Sequence, residues 1–128
     1  MIPVKMERDQ ARSIQQYFFK YMEETLKTQE RDALTTGTKM FQHLIRELFY
    51  QVQQLFEKKL LNKGNNIKFD FTNGQAIVLY NLLFNFPISE REVYMIQLRQ
   101  LLLNILYDPI MTAIKLEEIK MKQAVETA

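Results

Sequence analysis

The chain has 128 residues, 47% of them apolar, which suits one domain with a core of its own. It holds no cysteine, which excludes disulfides, thiolate catalysis, cysteine-based zinc sites and iron–sulfur clusters. Its formal net charge of +2 is too small for the concentrated basic footprint that marks a nucleic-acid binder.

Charges at Lys5, Glu7 and Arg8 arrive before any apolar run, so no secretory signal is expected there, and the setting expected is cytoplasmic or inside a viral particle. Lys, Asn, Ile, Phe, Tyr and Met are favoured in the manner of an AT-rich genome, bacterial or viral. The segment 1–8 alternates apolar residues at Ile2, Val4 and Met6, with Pro3 restricting it to the edge of any sheet.

A first helix is expected over 9–34, where Ile14, Tyr17, Phe18, Tyr21, Met22 and Leu26 recur at spacings of three and four. Thr35-Thr36-Gly37-Thr38 stops it and caps a second helix over 38–62. That helix carries an apolar stripe from Met40, Phe41 and Leu44 through Leu48, Val52 and Phe56 to Leu60. Lys58, Lys59 and Lys63 followed by Gly64 are what a helix C-terminus favours.

Residues 67–71 alternate Ile67, Phe69 and Phe71 with Lys68 and Asp70, the period of a strand. A lone strand leaves its backbone groups unpaired, so Ile2 to Met6 is the expected partner, within one chain or between two. A third helix over 73–86 opens on the capping box Thr72-Asn73-Gly74-Gln75 and stops before Pro87. The uncharged run around it, Thr72 to Ser89, is too interrupted by Asn, Gln, Gly and Pro to be a membrane span.

Ser89-Glu90-Arg91-Glu92 reads as a second capping box, with Ile88 and Val93 as a hydrophobic staple, opening a fourth helix over 90–107. The segment Ile88 to Val93 resembles the opening of the helix-turn-helix domain of many bacterial response regulators, which implies a polar recognition helix beyond it. Leu101-Leu102-Leu103-Asn104-Ile105-Leu106 follows instead, so the likeness covers six residues and reflects shared capping. Asp108-Pro109 then caps and starts a fifth helix over 109–125. The expected fold is all-α: one domain, 1–128, a bundle of about five helices with one short extended segment.

Helices three and four are apolar on most sides, so they are either the centre of the bundle or the face of an assembly. Leu79, Leu83, Phe86, Leu98, Leu101, Leu102 and Ile105 are the candidate interface residues, and the partner is a second copy or another protein. Chemistry is sparse. His43 is the sole histidine and stands four residues from Lys39 and from Glu47, as solvated helix pairs do. Glu23-Glu24 and Glu117-Glu118 diverge by about 100° around their helix axes, so neither pair forms an acid–base couple. No Glu-x-x-His motif or glycine-rich phosphate loop exists. The expectation is therefore a non-enzymatic structural or adaptor protein, without cofactor or metal, acting through protein interfaces. The alternative is a small nucleic-acid-binding regulator using Lys58, Lys59, Lys63 and Lys68.

Overall fold

A computed structural model describes residues 1–127; Ala128, the last residue of the expected domain, lies outside the described residues. Strand β1 (Ile2–Glu7) leads into a helical rod, α1, composed of Arg8–Ile14, a π-helical turn Gln15–Phe19, and Lys20–Asp32. Helix α2 (Thr36–Leu60), strand β2 (Asn66–Phe71), α3 (Asn73–Asn85) and α4 (Val93–Thr127) follow, making four helices and a two-stranded sheet among the described residues.

The strands pair as their alternation requires, and they do so within the chain. They run antiparallel with Ile2 opposite Phe71, Val4 opposite Phe69 and Met6 opposite Ile67. All six of those side chains are buried, while Pro3, Lys5, Glu7, Asn66, Lys68 and Asp70 form the exposed outer face. Beneath the ribbon, Phe69 stacks on Phe56 at 4.4 Å, and Phe56 meets Phe19 edge-on at 4.7 Å. Arg8 fastens the end of the ribbon to α2: its Nη1 donates to the Leu60 carbonyl at 2.6 Å and its Nε to the Gly64 carbonyl at 2.8 Å. The first of these is a carbonyl that a helix end leaves without a partner. Gly64 turns the chain there with φ +130°, a region that side chains rarely enter.

The π turn corrects the expected core face of α1. A π turn carries one residue more than an α turn, so it shifts the phase of everything after it. Ala11, Ile14 and Phe18 are buried before the shift, and Phe19, Met22 and Leu26 after it. Phe18 and Phe19, adjacent in sequence, thereby both face inward, Phe18 against Phe86 at 4.8 Å and Phe19 against Phe49 at 5.3 Å. Tyr21, expected in the core, is 45% exposed instead.

Helix α2 starts two residues earlier than expected, because the Thr35 hydroxyl accepts from the Thr38 amide at 3.1 Å and Gly37 falls inside the first turn. Helix α3 opens on its capping box: Thr72 Oγ1 accepts from the Gln75 amide at 3.2 Å, and Gln75 Oε1 accepts from the Thr72 amide at 3.0 Å. Buried Gln75 is satisfied on its other side, donating to Gln51 Oε1 at 3.0 Å.

The expected fourth and fifth helices are one. Helix α4 runs unbroken from Val93 to Thr127 with Pro109 inside it. Proline there removes an intrahelical hydrogen bond at a cost of about 3 kcal/mol. Leu106 and Ile110, one turn apart and both buried, hold the two sides of Pro109 in line against the core. The Ser89 cap is also corrected. Ser89 to Glu92 forms a turn, in which the Glu92 amide donates to the Ser89 carbonyl at 3.0 Å, and the Ile96 amide donates to the Glu92 carbonyl at 3.0 Å, making Glu92 the capping position. The Ser89 hydroxyl accepts at 3.4 Å from the Arg91 amide, outside the helix. Thr72→Ala is therefore expected to cost about 0.5–2 kcal/mol and Ser89→Ala less than about 0.5 kcal/mol, measured as urea midpoints of the two variants.

Candidate functional site: an uncovered apolar cleft

Helices α3 and α4 form the centre of the bundle. Leu79, Leu83, Phe86, Leu98 and Leu102 are buried within this chain, Ile105 is half-buried, and of the seven candidate interface residues Leu101 alone stands exposed, at 44%. Leu98, Leu102 and Ile105 meet Met6 and Ile14, which closes α4 against β1 and α1. Arg99 completes the joint by donating from Nη1 to the Phe86 carbonyl at 2.6 Å, at the end of α3.

An uncovered apolar surface beside a cleft lies on the first half of α2. Phe49, Val52 and Phe56 in its second half are buried, whereas Met40, Phe41 and Leu44 are 69%, 59% and 55% exposed. Tyr21, Met22, Leu26 and Gln29 of α1, Phe41, Leu44, Ile45 and Leu48 of α2, and Ile77, Asn81, Leu82 and Asn85 of α3 wall a cleft of about 590 Å³. Phe86 closes one end, with the Tyr21 ring against it at 4.7 Å.

The polar groups of this cleft are neutral. Thr25, Gln29, Gln42, Asn81 and Asn85 contribute hydroxyl and amide groups, and Tyr21 is the one ionisable side chain among the described lining residues. Asn81 and Asn85 each donate to the carbonyl one turn back, Ile77 at 2.9 Å and Asn81 at 2.8 Å. Their amide oxygens remain as acceptors at the mouth. The arrangement can bury apolar surface and orient it by a few amide hydrogen bonds.

Titratable groups gather on the other side of the α1–α2 pair. Glu30 stands between His43 and Arg46, with His43 Nδ1 2.9 Å from Glu30 Oε1 and Arg46 Nε 2.6 Å from Glu30 Oε2. Glu47, the partner that spacing suggested for His43, is farther away at 3.8 Å. Glu30 is thirteen residues from His43 in sequence, so no local spacing rule points to it. On the next turns Lys27, 3.0 Å away, holds the Glu23 carboxyl below the usual carboxylate range, assisted by Gln53 and opposed by partial burial. The contacts of Glu30 and the Gln53–Glu23 hydrogen bond tie α1 to α2, while the Lys27–Glu23 pair lies within α1. Among the described residues no group of three or more His, Asp or Glu side chains is placed to hold a metal ion, and no helix is long and apolar enough to cross a membrane.

The four candidate nucleic-acid contacts are all on the surface or near it, without converging on one groove. Lys58 and Lys59 end α2, Lys63 lies in the turn, and Lys68 faces outward from β2 opposite Lys5. Glu7 and Asp70 share that outer face and break its positive potential. Comparison of the chain with protein-family models, with curated proteins and with solved structures finds no match.

Proposed function

We propose that this chain is a non-enzymatic interaction module whose cleft between α1, α2 and α3 receives the apolar face of an amphipathic helix. The observation that carries this reading is the uncovered stripe of α2. Phe41 and Leu44 sit at the mouth of a three-walled apolar trough, more than half exposed. A small ligand would fill the trough and leave that rim wet. A helix about 10 Å across covers both, in the helix-in-groove mode of recognition. The neutral amides at the mouth orient the guest without demanding a charge from it. An adaptor or assembly subunit, in the cytoplasm or within a viral particle, is the role that fits such a surface.

The test uses a designed amphipathic leucine–lysine helix as probe, titrated into the labelled protein while backbone amide shifts are followed. Shifts confined to the cleft walls, between Ile77 and Phe86 and between Phe41 and Leu48, are expected. Leu44→Glu, at an exposed position, should leave the melting temperature within a degree or two and weaken probe binding at least about tenfold, or 1.4 kcal/mol. Shifts scattered over the surface, or binding indifferent to Leu44→Glu, would refute the reading.

A further inference from the structure

Helix α4 is longer than the body it packs on. Its last buried residue is Ile110 and its last half-buried one Ile114, and from Lys115 to Thr127 every residue is exposed. At about 1.5 Å per residue this is an arm of roughly 20 Å. A helix of that length is marginal in water without a surface to lie on. Yet Leu116, Ile119, Met121 and Val125 along it are 54%, 52%, 71% and 76% exposed.

The arm cannot reach the cleft of its own chain. Arg99 meets the end of α3 at Phe86 and Tyr107 lies beside Tyr80, so α4 runs antiparallel to α3. Leu116 and Lys120 are level with Asn73, the first residue of α3, and with Met1 and Ile2, so the helix beyond them continues past the start of α3. An unbroken helix leaving by that end points away from the body. The molecule thus presents an open apolar trough and an exposed helical arm that leave the body at different places.

We infer that the guest of the cleft is the C-terminal arm of a second copy of this chain, exchanged reciprocally in a two-fold dimer. The inference rests on the cleft reading above. The chemistry of the two surfaces corresponds. Leu116, Ile119 and Gln123 recur at i, i+3 and i+7 and form a narrow uncharged stripe, bordered on one side by Lys115, Glu118, Lys122 and Glu126 and on the other by Lys120. Such a stripe matches a trough that carries amides and no charged side chain. Gln123 supplies the donor that the free Asn81 and Asn85 oxygens lack. The stripe also fits within the cleft: it spans about 11 Å, and the cleft follows α3 from Gly74 to Phe86 for about 18 Å. A two-fold exchange makes the contact twice, and it closes without leaving a free end to polymerise.

Light scattering of the full chain over a range of concentrations should give the mass of a dimer. Ile119→Glu in the arm and Leu44→Glu in the cleft, each in the full chain, should weaken dimerisation at least tenfold with the helical spectrum and melting cooperativity retained. A synthetic peptide of residues 111–127 added to the Ile119→Glu protein should shift the amides of Ile77 to Asn85. A monomeric full chain, an open series of larger species, a dimer indifferent to Ile119→Glu, or a peptide that shifts nothing would each overturn the exchange. If the peptide fails while the leucine–lysine helix still occupies the cleft, the arm is the wrong guest and the cleft reading stands. If both fail, the cleft reading falls too.

Discussion

Removing residues 1–7 is expected to unfold the protein. Had the N-terminal strand paired between chains, its loss would lower the oligomeric state and spare the helices. It pairs within the chain, and Ile2, Val4 and Met6 are 3%, 1% and 7% exposed. At about 1.5–3 kcal/mol for each buried side chain, their loss amounts to roughly 5–9 kcal/mol, against a total of about 5–15 kcal/mol for a domain. The deletion also opens Ile67, Phe69 and Phe71 to water and leaves β2 without a partner for its backbone. Far-ultraviolet circular dichroism with thermal melting checks this: the deleted chain should show reduced helicity and no cooperative transition. A cooperative melt near that of the intact chain would show that the ribbon is peripheral to the core.

Leu102→Asp is expected to be as destructive, and its neighbour supplies the control. Leu102 is 2% exposed between buried Leu98 and Leu106, and the cation closest to that layer, Lys5, stands on the exposed outer face of β1. An unpaired carboxylate there must either stay charged in an apolar medium or take up a proton, and both courses consume most of the stability available. Leu101, one residue earlier and about 100° around the helix, is 44% exposed, so Leu101→Asp should cost less than about 1 kcal/mol. Burial raises the folded-state pKa of the introduced carboxyl. The native form then binds the extra proton, and the Leu102→Asp protein should recover stability as pH falls and lose it as pH rises through that pKa. Chemical denaturation of both variants at two pH values reads the contrast. Equal midpoints would place Leu102 on the surface.

What the sequence makes legible follows from which rules are local. The pairing of β1 with β2 is readable because alternation fixes the faces and an unpaired strand is untenable. The Thr72 box is readable because its partners lie three residues apart. Phe19 was missed because a π turn changes the helical phase by one residue, and nothing in Gln15 to Phe19 announces it. Pro109 and Ser89 carry correct local signals that packing overrides. Leu106 and Ile110 keep α4 in line through the proline, and the Ser89 segment serves as a turn before the helix begins. The cleft is illegible for a related reason. The stripe on α2 is continuous from Met40 to Leu60, and only the placement of α1 and α3 decides that its first half stays uncovered.

The ribbon also sets a timetable. Each residue of β1 waits for a partner some sixty residues further along the chain. At a synthesis rate of about 5–20 residues per second, that strand spends several seconds as an unpaired apolar segment while α1 and α2 are made. Its closure joins the two ends of the α1–α2 hairpin, a distant contact of the kind that slows folding relative to a purely helical bundle. During that interval Pro3 and Lys5 are what discourage a stray strand from adding to it, since one lacks an amide hydrogen and the other carries a charge. A nascent chain stalled before Phe71 has emerged from the ribosome should therefore be far more open to proteases at Ile2 to Met6 than one stalled after it has emerged.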